Sequence, residues 1–130
     1  MQALDGRLQP LPELLGGRAA LVSLWAPWCE SCVAELPSLM RLAERAKANG
    51  GAVVSVAVGE STRPVAEFLA AQGAARTAIY QFVDERFRFA DALGEKRVPT
   101  TLVVDRRGRV VFAGAALDER ALAALRTVLQ

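Results

Sequence analysis

Histidine is absent from these 130 residues, cysteine occurs twice and tyrosine once. Each scarcity removes a class of chemistry. Without an imidazole there is no general base for a Ser-His-Asp hydrolase or a papain-like thiol protease. Two cysteines are too few for the disulfide framework that staples a mini-domain. A four-ligand zinc site would have only two thiolates and some carboxylates to draw on. Long apolar runs are missing as well. Stretches such as Ala52–Val58 fall far short of the ~20 residues that a membrane span needs. The opening Met1-Gln2-Ala3-Leu4-Asp5-Gly6 lacks a charged-then-apolar leader, so a membrane anchor is expected only outside this segment.

What remains is ample for a core. An apolar fraction of 52% and a charged fraction of 23% fit one folded domain over residues 1–130 and argue against disorder. The net charge is only +2. Arg86, Arg88, Arg97, Arg106, Arg107 and Arg109 make their region locally basic, yet no aromatics interleave with them for base stacking. They read as a solvated surface and a polar hairpin tip, with no nucleic-acid partner expected.

The apolar pattern changes period along the chain. Residues 1–19 are rich in Gly and Pro and read as a loose opening segment, with a short edge strand. Leu21–Ala26 is a compact apolar run, as a buried strand requires. Beyond Pro27-Trp28, Val33, Leu36, Met40 and Ala43 recur at helical spacing until Asn49-Gly50-Gly51. Pro37 lies inside that helix and is expected to kink it. Ala52–Val58 is a second buried strand. Ser61-Thr62-Arg63-Pro64 opens a helix facing Val65, Phe68 and Leu69 inward, and Gly73 ends it. Ile79–Val83 reads as a strand, and Asp84 as the cap of a short helix carrying Phe87, Ala90 and Leu93. Thr100–Val104 and Val110–Ala113 flank the hairpin signature Asp105-Arg106-Arg107-Gly108. Asp118 caps a last helix that is expected to bury Leu122, Leu125 and Leu129. The order βαβαβ(α)ββα predicts an α/β fold, a central mixed sheet with helices on both faces.

Cys29-Glu30-Ser31-Cys32 falls where the first buried strand gives way to its helix. Residues three apart on a first turn lie roughly 5–6 Å from each other, close enough to bond. Cys29 stands by unpaired backbone N–H groups and the positive end of the helix dipole, which favour a thiolate. Cys32 lies a turn deeper. Thiol–disulfide exchange needs that arrangement: one sulfur attacks a partner disulfide and the second resolves the mixed disulfide. It needs neither metal nor cofactor. Pro99, in Val98-Pro99-Thr100-Thr101, precedes a strand; a cis bond there would turn the Val98 backbone towards an extended substrate.

The run Trp25-Ala26-Pro27-Trp28-Cys29-Glu30-Ser31-Cys32, with Glu35, Pro37 and Val98-Pro99-Thr100-Thr101, resembles the thioredoxin superfamily, and within it the TlpA/ResA group. That resemblance implies a thioredoxin-like fold and a cis Pro99 beside the cysteines. It also implies a setting in the periplasm or otherwise outside the cytoplasmic membrane, often in cytochrome c maturation. Protein disulfide or dithiol substrates and an upstream thiol reductant or oxidant are the implied partners. Two departures stand out. Ser23 occupies the place of the buried Asp of thioredoxins proper, which leaves Glu35 as the candidate proton relay for Cys32. Glu30 disfavours a neighbouring thiolate whereas Ser31 can donate to one. The expected catalytic set is Cys29, Cys32 and Glu35, with Trp28, Val98 and Pro99 binding substrate. Trp28 is expected as an exposed lip and Trp25 as core. A reductant of protein disulfides is the favoured reading, with a disulfide-forming oxidant or a Cu(I)-binding thiol pair as alternatives. A peroxiredoxin would carry Thr where Ala26 stands.

Overall fold

The computed structural model describes residues 1–95 and 97–130. Among them, six strands form one sheet in the order β1-β4-β3-β2-β5-β6. They are β1 (Gln2–Ala3), β2 (Ala20–Trp25), β3 (Ala52–Val58), β4 (Tyr80–Asp84), β5 (Thr100–Val104) and β6 (Val110–Gly114). The helices are α1 (Leu11–Leu15), α2 (Glu30–Ala48), α3 (Thr62–Ala71), α4 (Arg88–Leu93) and α5 (Glu119–Leu129). β2, β3 and β4 run parallel, while β5, β6 and β1 pair antiparallel to their neighbours.

The central strands are apolar on both faces because both faces are covered. On one side Val22, Leu24, Val54 and Val56 pack with Leu11 and Leu15 of α1 and with Phe89 and Ala90 around α4. On the other, Leu21, Val53 and Val103 meet Leu39, Leu42 and Ala43 of α2 and Leu125 of α5. Beside that second cluster, Trp25, Ala57 and Val83 meet Cys32 and Leu36 of α2 and Val65 and Leu69 of α3. Each fully buried Leu or Val contributes about 1.5–3 kcal/mol. Helices therefore lie on both faces, as the element order predicts. Between the two α2-side clusters Ser55, Ser23 and Thr101 form one register row across β3, β2 and β5, all three buried.

Several local expectations are corrected. The opening segment contains the short helix α1. Pro12 sits in its first turn, and Gly16, at φ 55°, ends it by donating its N–H to Pro12 O at 3.0 Å. Pro37 lies inside α2, as expected, and the helix runs on to Ala48. In α5, Ala121 and Leu125 are buried while Leu122 and Leu129 are only half-buried. Asp84 closes β4 rather than standing beside α4, yet it still caps: its carboxylate accepts from Phe89 N at 3.1 Å and Ala90 N at 2.8 Å.

The strand directions place the site. β2, β3 and β4 end at the side where β5 begins and β6 finishes, since Leu24 pairs with Thr100 and Thr101 with Gly114. The helices α2 to α5 all start there, so the positive ends of their dipoles gather at one end of the sheet.

Candidate redox-active site

Cys29 is the N-cap of α2, with extended backbone (φ −90°, ψ 102°), and its Sγ accepts from Cys32 N at 3.2 Å. The chain reaches this cap through a turn in which Cys29 N donates to Ala26 O at 3.0 Å. Cys29 and Cys32 are joined by a disulfide, with their Cα atoms 5.2 Å apart. The Ser31 hydroxyl stands 3.6 Å from Cys29 Sγ. The pair is more covered than the sequence implies: Cys29 keeps 7% of its surface and Cys32 2%. Cys29 is still the outer of the two. Covering arises because both residues pack into the apolar cluster of Trp25, Leu36, Ala57 and Val65.

The two tryptophans diverge as expected. Trp28 is 72% exposed next to Cys29, whereas Trp25 is 2% exposed and packs its ring 5.9 Å from that of Phe68. The Val98–Pro99 peptide is cis. Thr100 Oγ1 donates to Arg97 O at 2.6 Å and pins that turn. Val98 packs against the cluster that holds both cysteines, so the proline turn and the disulfide share one apolar wall. A groove of about 440 Å³ runs between this turn, at Arg97, Val98, Pro99 and Thr100, and Ala113–Ala115.

Glu35 takes a position that the sequence does not announce. Its Oε2 accepts from Leu117 N at 2.8 Å, so the helix turn after Cys32 is tied to the loop between β6 and α5. Burial pushes its pKa above the ordinary 4.5, and the Leu117 amide pulls in the opposite direction with the smaller effect. The donor is main chain, so no residue type along 115–118 could have signalled it. Thr100 is the other contributor missed from sequence; a hydroxyl directly after the proline is its only mark.

A cis-proline turn packed beside a Cys-x-x-Cys disulfide, at the helix-start end of a mixed sheet, defines a thioredoxin-fold protein of ResA/TlpA type. Residues 1–129 match the Redoxin family, and the chain belongs to it. It is 30% identical over 97 residues to the thiol-disulfide oxidoreductase ResA of Bacillus subtilis (strain 168), covering 75% of this chain and 52% of that one. It is 31% identical over 113 residues to the thiol:disulfide interchange protein HelX of Rhodobacter capsulatus, covering 81% and 61%. Among solved structures it superposes on MTB dsbF with a TM-score of 0.81 at 25% identity, covering 99% and 92% of the two chains. A thioredoxin family protein from Chlorobium tepidum TLS has the same fold, with a TM-score of 0.77 at 24% identity, covering 100% and 92%. The chain spans between 52% and 61% of the length of the curated relatives it matches.

Proposed function

We propose that this chain is a thiol–disulfide oxidoreductase that reduces disulfides of other proteins. The observation that carries the reading is the Cys29–Cys32 disulfide at the first turn of α2, set in an apolar cluster against which Val98 of a cis-proline turn packs. In the reduced protein the Cys29 thiolate, favoured by the amides and dipole of α2, attacks a substrate disulfide. A mixed disulfide forms and one substrate thiolate leaves. The Cys32 thiolate then attacks Cys29 Sγ, the second substrate thiolate departs, and the Cys29–Cys32 bond is made. Two electrons pass to the substrate, and an upstream dithiol must restore the pair.

In this reading Val98 and Pro99 present backbone to an extended substrate and Trp28 forms the lip over Cys29. Glu35 is the proton relay for Cys32: a carboxylate with a raised pKa can hold a proton nearer neutral pH than an ordinary one. Residues 1–130 act as one domain, and the setting is outside the cytoplasmic membrane, with cytochrome c maturation as the process. The last two points rest on the resemblance to the TlpA/ResA group.

Cys32→Ala is expected to accumulate a mixed disulfide through Cys29, seen by mass spectrometry, while Cys29→Ala abolishes exchange with a model disulfide protein. Exchange at the parent rate by the Cys29 variant refutes the assignment. Direction is decided by a glutathione titration followed through tryptophan fluorescence. A potential near that of thioredoxin, about −270 mV, supports a reductant, and one near that of DsbA, about −120 mV, means an oxidant.

A further inference from the structure

The end of the sheet away from the disulfide is where the cations collect. Val104 pairs with Ala20 there, and the hairpin Asp105–Arg109 projects beyond it. Helices α2 and α5 also finish there: Leu129 approaches Gly51 closely enough that a β-carbon on Gly51 would collide with it, and Arg106 Nη2 donates to Leu129 O at 3.4 Å. The three segments carry Arg45 and Lys47, Arg106, Arg107 and Arg109, and Arg126, all exposed. Their side-chain carboxylates are only Glu44 and Asp105. Asp105 is already committed, its Oδ1 accepting from Arg107 N at 2.9 Å and Arg109 N at 3.0 Å. Six cations against two carboxylates exceed the net charge of +2 of the whole chain, so the rest of the molecule is net acidic.

Cations at helix C-termini offset the dipole, which accounts for Arg45, Lys47 and Arg126. It does not account for the hairpin arginines, which belong to no helix. Apolar surface accompanies the charge. Val110 and Val111, next to Arg109, are 47% and 49% exposed. A groove of about 210 Å³ between α2 and α5 is floored by Leu42, Leu122, Leu125 and Leu129 and flanked by Arg45 and Arg126.

We propose that this basic end docks on an anionic lipid surface. The charges come from three separate segments spread across the end of the sheet, which suits a plane of phosphates better than a single peptide. The groove is smaller than the roughly 300–1,000 Å³ of ordinary ligand pockets and is sized for a few methylenes. Basic residues near an anionic bilayer each strengthen binding about fivefold, and shallow apolar insertion adds to that. Docked this way, the chain holds its disulfide away from the lipid by about the length of β2, roughly 20 Å at the usual rise per residue. This proposal is independent of the direction or substrate of exchange.

Vesicle flotation tests it. The parent protein is expected to float with vesicles containing phosphatidylglycerol at low salt, to ignore pure phosphatidylcholine vesicles, and to be released near 1 M salt, where charge acts over only about 3 Å. Arg106→Gln/Arg107→Gln/Arg109→Gln is expected to weaken binding roughly tenfold or more with an unchanged circular dichroism spectrum. Arg45→Gln/Arg126→Gln, on other segments, is expected to weaken it as well. Equal binding to neutral vesicles, or none to anionic ones at low salt, overturns the proposal. Polyglutamate displacing the protein from vesicles at lower charge concentration than added anionic lipid overturns it too, because the partner would then be an acidic protein.

Discussion

Glu35 and Asp105 stand at opposite ends of the same sheet and do the same job by geometry. Each accepts main-chain amides, Glu35 from Leu117 at 2.8 Å and Asp105 from Arg107 and Arg109 at 2.9 and 3.0 Å. Their pKa values nevertheless move in opposite directions. Burial outweighs the single amide at Glu35 and raises it, whereas the amides and the Arg109 and Arg107 charges lower Asp105. The difference teaches how the two ends are fastened. Glu35 near the disulfide is drawn partly into the protein, and Asp105 at the far end closes a turn at the surface.

That contrast is open to attack by mutation, most sharply at Asp84, which is buried at the disulfide end. Asp84→Ala strands the Ala90 amide in the core and leaves Phe89 N without its acceptor. The expected cost is about 2–4 kcal/mol, read as a lowered urea midpoint. Asp105→Ala is expected to cost clearly less, and equal losses would erase the distinction between the ends.

The next effect is a difference in pH slope. With Asp105 lowered below the ordinary 3.8, its contribution is whole above that value and is lost as pH falls through the folded pKa. Glu35 has the opposite sign. Between the ordinary 4.5 and its raised value the folded chain holds a proton that the unfolded chain has released, so stability falls as pH rises through that window. Urea midpoints measured across it are expected to fall for the parent and to stay level for Glu35→Gln. The same variant is expected to slow exchange and shift its pH profile. A profile identical to the parent's would leave Glu35 as a strap to Leu117 and nothing more. The smallest effect is at the hairpin tip: Arg106→Gln/Arg107→Gln/Arg109→Gln is expected to leave both the urea midpoint and the exchange rate where they were.

Much of this layout is legible in the chain itself. Leu21–Ala26, Ala52–Val58 and Thr100–Val104 announce buried strands because a strand covered on both faces has no polar phase to confuse the reading. The Cys29–Cys32 spacing, exposed Trp28, core Trp25 and the turn at Pro99 all lie where the motif puts them. What escapes is whatever depends on a distant main-chain partner or on cover. Glu35 looks like a free helix carboxylate until the amide 82 positions later is in place. Cys29 looks open until the Trp25 cluster closes around it. The α1 helix is masked by prolines and glycines that read as a loose opening segment, although Pro12 and Gly16 are sited as a helix start and stop. Asp84 caps α4 as its position suggests, but from the end of β4, because a strand's last side chain can reach as far as a local cap.

The hydroxyl row of Ser55, Ser23 and Thr101 bears on how the chain avoids misassembly. Val53–Val58 and Leu21–Trp25 are so uniformly apolar that hydrophobic alternation alone scarcely distinguishes one alignment of β2 on β3 from the next. Sliding either strand by a single residue would turn its serine to the opposite face, among Val22, Val54 and Leu24, where a lone hydroxyl costs roughly 1–3 kcal/mol. Ser23 and Ser55, opposite one another on β2 and β3, thus serve as alignment marks, keeping the middle of the sheet in phase while it assembles.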